Sequence, residues 1–174
     1  MNKAVFLDRD GVINAATVVG NRSYSPDSIQ KFIFLPGVKK TITLLREWGY
    51  LVIVVTNQPD ISRGLLTREE LDKMHDLVRK ELSVNDIIIC THDDNDGCDC
   101  RKPKPGMLLG AAKKWNIDFG KSFLVGDRWR DVEAGKAVNC RTILLKNEAS
   151  GICDPDYVIK DFSEVAEIIL RTTD

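Results

Sequence analysis

No apolar run in the chain approaches the roughly 20 residues that a bilayer-spanning helix requires, so no such helix is expected in it. The beginning of the chain lacks the basic start, apolar stretch and small-residue cleavage site of an export signal, and the cytoplasm is the expected compartment. Net charge is scarce as well, since 25 basic residues against 26 acidic ones leave −1. Nothing in that balance points to a nucleic-acid or membrane partner. Five cysteines, an odd number without an export signal, argue against a disulfide framework. There is no internal repeat and no low-complexity tract. What is present is a chain of 174 residues, 43% of them hydrophobic. That length is expected to form one domain, 1–174, able to bury roughly 70% of its unfolded surface. A monomer is the expected state.

Strands alternate with amphipathic helices along this chain. Ala4-Val5-Phe6-Leu7 and the largely β-branched run Leu51-Val52-Ile53-Val54-Val55 read as strands, the second covered on both faces. Segments 86–91, 122–126, 141–145 and 157–159 read as strands too, with helical patterns at 38–48, 67–82, 106–115, 130–138 and 163–171. Thr67 and Glu70 predict a capping box, each side chain bonding the other's free backbone amide. The alternation implies an α/β fold, a Rossmann-like parallel sheet with helices on both faces and right-handed crossovers. Strand-to-helix loops in such a sheet gather at its carboxyl edge, where ligands bind.

The polar residues collect in those loops. Asp8 and Asp10 leave the first strand pointing the same way, and Gly11 lets the chain turn after them. Two carboxylates that close repel unless a cation lies between them or one holds a proton. The pair suits a hard divalent ion, an aspartyl nucleophile and an acid/base partner in one site. Alone, such a pair is common in solvated loops. After the second strand, however, Thr56-Asn57-Gln58 offers a hydroxyl and two amides to an oxyanion. The loop after the third ends in Arg101-Lys102-Pro103-Lys104-Pro105-Gly106, and the fourth is followed by Gly126-Asp127-Arg128-Trp129-Arg130-Asp131. Hydroxyl, cation and carboxylate thus stand on successive loops of one edge.

In this order, D-R-D-G-V-I-N, T-N-Q, R-K-P-K-P-G and G-D-R-x-x-D resemble the four motifs of the haloacid dehalogenase superfamily of phosphohydrolases. The likeness is greatest to its small, capless members, grouped with histidinol-phosphate and heptose-bisphosphate phosphatases. It implies that Asp8 attacks phosphorus, forming an aspartyl-phosphate, and that Asp10 protonates the leaving alkoxide and later deprotonates water. It implies Mg2+ held by the Asp8 carboxylate, the Asp10 backbone carbonyl and Asp127, with Thr56 and Lys102 carrying the phosphoryl oxygens. Phosphoryl transfer needs in-line positioning and charge neutralisation, which such residues supply. Asp10 must carry a proton during attack, and hydrogen bonding with the adjacent charge is expected to raise its pKa from about 3.9. Asn57, Gln58, Arg63, Arg101 and Arg128 are the expected substrate-binding residues. The insert Val18 to Tyr24 is expected to form a flap.

Several cations around a small open site favour a sugar bisphosphate over histidinol phosphate, whose amine they would repel. The resemblance therefore implies removal of the 7-phosphate of a heptose 1,7-bisphosphate on the route to surface-polysaccharide heptose. Histidinol phosphate or another small phosphomonoester is the same-class alternative. A receiver-like phosphoacceptor or a zinc-stapled interaction domain is the alternative from another class, although a receiver lacks an acid/base two residues past its nucleophile.

A second constellation lies in the loop 90–100. Cys90, His92, Cys98 and Cys100 provide three thiols and an imidazole, a complete tetrahedral set for Zn2+. Four protein ligands leave no open position, so the metal is expected to be structural, fixing the loop that delivers Arg101 and Lys102. The other histidine, His75, is expected to be a surface or helix-packing residue.

Overall fold

The computed structural model describes residues 1–20 and 22–173. Its strands are β1 (Ala4–Leu7), β2 (Thr17–Val19), β3 (Arg22–Tyr24), β4 (Leu51–Asn57), β5 (Asp86–Cys90), β6 (Phe123–Gly126), β7 (Arg141–Leu145) and β8 (Tyr157–Ile159). Its helices are α1 (Val38–Glu47), α2 (Arg68–Leu82), α3 (Gly106–Trp115), α4 (Trp129–Lys136) and α5 (Glu164–Thr173). Six strands make one sheet in the order β5-β4-β1-β6-β7-β8, every neighbouring pair parallel. From β1 the chain builds outward through β4 to β5, then crosses back to β6 on the other side. This reversal beside β1 opens a crevice at the carboxyl ends of β1, β4 and β6.

Strand alternation divides the core into two layers. Val5, Leu7, Val52, Val54, Phe123 and Val125 face a layer with Val38, Ile42 and Leu45 of α1, Leu71, Met74 and Val78 of α2, and Val165 and Ile169 of α5. Ala4, Phe6, Ile53, Val55 and Leu124 face the other, with Met107, Leu108 and Ala111 of α3 and Ala134 of α4. Each fully buried Leu, Ile or Phe contributes roughly 1.5–3 kcal/mol. Both faces covered is what the continuous apolar strands require. No helix among the described residues is long and apolar enough to cross a membrane.

One local expectation changes. Thr67 Oγ1 accepts from Glu70 N at 3.2 Å, but the Glu70 carboxylate accepts from Ile29 N at 3.1 Å, so only half of the capping box forms. A tertiary acceptor outcompetes the local one. The insert is an antiparallel hairpin, β2 with β3, whose Ser23, Tyr24 and following Ser25 overhang the crevice. Asn21 and the Arg22 side chain, part of that expected flap, lie outside the described residues.

Candidate active site

The loops at the carboxyl edge enclose a cavity of about 490 Å³. Asp8 and Asp10 reach it from β1, Asn57 from β4, Arg101 and Lys102 from the loop before α3, and Asp127, Arg128 and Asp131 from the end of β6 and the start of α4. Two glycines allow these loops to meet. Gly11 adopts φ +83, and a Cβ there would lie 2.3 Å from Asp127 Oδ2. A Cβ on Gly126 would stand 2.1 Å from that of Asp131.

Lys102 occupies the floor of the cavity and is almost fully buried. Its Nζ donates to Asp131 Oδ1 at 2.6 Å, to the Val55 carbonyl at 2.8 Å and to Asp8 Oδ1 at 2.9 Å, which uses all three ammonium hydrogens. Burial works against its charge, but Asp131 and Asp8 outweigh burial and hold it above the ordinary lysine range. Asn57 clamps the same residue from outside, accepting from Lys102 N and donating to Lys102 O, both at 3.1 Å. Asn57 therefore lines the cavity while its polar atoms serve Lys102.

Asp8, Asp127 and Asp131 each present a carboxylate oxygen within 4.8 Å of the others. Burial, opposed by Lys102 and reinforced by Asp131, pushes Asp8 up to about 6. Burial followed by the Asp8 and Asp131 charges carries Asp127 well above the usual carboxylate range. Asp127 Oδ2 accepts from Asn147 Nδ2 at 2.9 Å, whereas its buried Oδ1 has no hydrogen-bond partner among the described residues. Three crowded oxygen donors with one orphaned atom fit a hard divalent cation. Asp131, to which the resemblance assigns no role, joins this group. The Asp10 carboxylate stays outside this group.

Asp10 differs from expectation. Its carboxylate accepts from Arg9 Nε and Nη2 at 3.1 and 3.0 Å, Asn14 Nδ2 at 2.9 Å, Ser25 Oγ at 2.7 Å and Gln58 Nε2 at 2.8 Å. Burial raises its pKa, but Arg9 and the Asn14, Ser25 and Gln58 hydrogen bonds overcome that, so the group is lowered where an elevation was expected. Stabilisation of the charged form by donors wins. Gln58, expected to bind substrate, is fully buried and donates to Thr56 Oγ1 at 2.9 Å as well as to Asp10, so its amide group serves the protein's own side chains. Thr56 is buried beside it, beneath the cavity and not among its lining.

Two of the three arginines expected to bind substrate are already paired. Arg63 donates through Nε and Nη2 to Asp93, both at 2.6 Å, and through Nη1 to Asp60 at 3.3 Å. Arg101 Nε and Arg130 Nη1 converge on Asp94 Oδ1 at 2.8 and 2.7 Å. Arg128 borders the cavity with its buried Nε unpartnered among the described residues. The excess positive charge expected of Arg63 and Arg101 is thus offset by carboxylates of the cysteine loop, and Arg130 joins them. Arg130 and Asp131 lie inside the quoted motif and were legible there as charged positions. Nothing local pointed to Asn147.

In that loop Cys90 Sγ lies 3.1 Å from Cys100 Sγ, 3.7 Å from Cys98 Sγ and 3.6 Å from His92 Nδ1, and His92 Nδ1 is 3.3 Å from Cys100 Sγ. All four donor atoms fall within 4.8 Å of one another. Donors about 2.3 Å from a shared tetrahedral centre stand at such separations. Burial, with the Cys100 contact, pushes the Cys90 thiol up to about 12. Metal binding there therefore displaces protons.

A HAD-hydrolase-like family model matches residues 99–165. The chain is 34% identical to the D-glycero-beta-D-manno-heptose-1,7-bisphosphate 7-phosphatase of Pasteurella multocida (strain Pm70), over 97% of each chain. It is 33% identical to the enzyme of that name from Bordetella bronchiseptica (strain ATCC BAA-588 / NCTC 13252 / RB50), over 97% of this chain and 98% of that one. The crystal structure of D,D-heptose 1,7-bisphosphate phosphatase from B. bronchiseptica, complexed with magnesium and phosphate, superposes with a TM-score of 0.84 at 31% identity, covering 98% of this chain and 99% of the other.

Proposed function

The chain belongs to the HAD-like hydrolases, within the family of the heptose-bisphosphate phosphatases, and from that premise we propose that it removes the 7-phosphate of D-glycero-D-manno-heptose 1,7-bisphosphate through an aspartyl-phosphate on Asp8. The observation that carries this reading is the convergence of Asp8, Lys102, Asp127 and Asp131 beside a second carboxylate, Asp10, on one cavity. Asp8 and Asp127, with the backbone carbonyl of Asp10, would hold Mg2+, and Asp131 stands next to them. When bound, the ion supplies the positive charge that lets a phosphate dianion approach carboxylates. Five cationic side chains face six carboxylates around the cavity, so the protein alone leaves it net negative.

In the first step an Asp8 oxygen attacks phosphorus in line, and the P–O bond to the sugar breaks. The electron pair leaves with the sugar oxygen, which takes a proton from Asp10. An approaching phosphate dianion raises the proton affinity of Asp10 by like-charge repulsion, opposing the donors that lower it in the resting site. In the second step Asp10, now a carboxylate, takes a proton from water as that water attacks the phosphorus, and Asp8 is regenerated. Lys102 stays charged throughout and neutralises the equatorial oxygens. A receiver-like phosphoacceptor needs no second carboxylate of this kind, so Asp10 favours hydrolysis. Cys90, His92, Cys98 and Cys100 would hold a structural Zn2+, and the reading extends to a cytoplasmic monomer acting on a small phosphorylated sugar.

Phosphorus NMR of the bisphosphate, with and without Mg2+, tests the reading. Loss of the C7 phosphate signal with the C1 signal intact, only when Mg2+ is present, is the expected result. Preferential release from C1, or faster turnover of histidinol phosphate, would overturn the substrate assignment.

A further inference from the structure

Arg9 is completely buried and does not line the cavity. Its guanidinium grips both Asp10 oxygens through Nε and Nη2, its Cζ lies 5.7 Å from the Phe32 ring centroid, and its Nη1 is 3.1 Å from His75 Nε2. Guanidinium can only donate. His75 Nε2 must therefore accept, which makes the imidazole neutral with its proton on Nδ1. Burial, then the charges of Arg9 and Arg79, push the His75 pKa down to about 3, in keeping with that form.

His75 sits on the buried face of α2 among Leu71, Met74, Val78 and Leu82. Its Nδ1 has no hydrogen-bond partner among the described residues. An apolar side chain would fill this place without leaving a buried donor unmet, so packing alone is a poor account of a histidine here. Among the described residues, the one polar contact its side chain makes is with Arg9.

We propose that His75 is a positioning residue: by accepting from Arg9 it fixes the guanidinium that orients the Asp10 carboxylate, and so sets how well Asp10 delivers its proton to the leaving oxygen. The inference rests on the phosphatase reading above. Without an acceptor, Arg9 Nη1 is an unmet donor in the core and shifts toward another oxygen, carrying Asp10 with it. His75 touches neither substrate nor the reacting atoms, so its effect should follow the demand for protonation.

Two substrates separate that effect from a structural one. A sugar alkoxide must be protonated as it leaves, whereas p-nitrophenolate leaves unaided. In His75→Phe, kcat/KM for the heptose bisphosphate should fall at least about tenfold, and for p-nitrophenyl phosphate by less than about threefold. His75→Gln, whose Oε1 accepts near the place of Nε2, should recover most of the loss. Equal losses on both substrates, or a Gln variant no better than Phe, would overturn the proposal. If His75→Phe does not fold, His75→Gln against His75→Asn asks the same question, because only Gln reaches the Nε2 position; equal kinetics for those two would also overturn it. A parent enzyme inactive on both phosphates would overturn the phosphatase reading itself, and this inference with it.

Discussion

Lys102 Nζ stands 2.6 Å from Asp131 Oδ1, with each side chain only 3% exposed, so a complete ion pair is buried under the cavity. Asp131 also accepts from Arg128 N at 3.1 Å and closes the first turn of α4. Asp131→Asn keeps an acceptor but removes the charge that balances Lys102 against Asp8. We expect kcat/KM to fall at least tenfold, about 1.4 kcal/mol, with the fold intact by circular dichroism. Asp131→Ala leaves the ammonium short of a partner and should destabilise by about 3–5 kcal/mol in urea denaturation.

Asp8→Asn should abolish turnover while leaving fold and zinc content unchanged. An amide can neither attack phosphorus nor neutralise a divalent ion. Phosphate release surviving at about a tenth of the parent rate would refute the covalent route.

The two proposed metals should separate by softness of ligand. Dialysis against EDTA should remove activity that Mg2+ restores, because oxygen ligands bind Mg2+ and thiolates retain Zn2+. Elemental analysis should still find roughly one zinc per chain. Protein purified without chelator and devoid of zinc would refute the Cys90, His92, Cys98, Cys100 site.

Cys98→Ala joins zinc to catalysis through the loop. Arg101 Nη1 donates to the His92 carbonyl at 3.2 Å, and Asp94 gathers Arg101 and Arg130, so loosening the loop frees both guanidiniums and the approach of Lys102. Loss of zinc should accompany at least a tenfold fall in kcat/KM, about 1.4 kcal/mol. Zinc loss with parental kinetics would reduce the metal to a stability device.

His75 predicts a pH dependence of stability. Its folded pKa of about 3 lies below the ordinary 6.5, so between those values the unfolded chain takes up a proton that the folded chain refuses. Stability is therefore fully present above pH 6.5 and declines as pH falls toward 3. Urea denaturation at about pH 7 and pH 5 should show the parent losing about 1–2 kcal/mol more than His75→Gln, whose amide does not titrate. Parallel losses would show that His75 is not buried as a neutral ring.

The sequence by itself determined where chemistry is mounted. Strand alternation and βα connections are local, so Asp8, Asp10, Lys102 and Asp127 were readable as residues of the loops that follow parallel strands, and all four line the cavity. The cluster of Cys90, His92, Cys98 and Cys100 was readable for the same reason, since all four donors lie within one short segment. Tertiary structure alone decided what each polar group bonds. Gln58 reaches Asp10 across 48 residues and His75 meets Arg9 across 66, so the bonds of an apparent oxyanion donor and an apparent packing histidine run to Asp10 and to the arginine that holds it. Asp94 meets Arg130 across 36 residues and neutralises cations that composition counted as free. Asp10 is lowered, not raised, because the charge of its neighbour Arg9 and the Asn14 hydrogen bond act together with donors that the fold brings from Ser25 and Gln58. Spacing along a chain specifies which face a side chain takes; its partners and its charge depend on what the fold brings to that face.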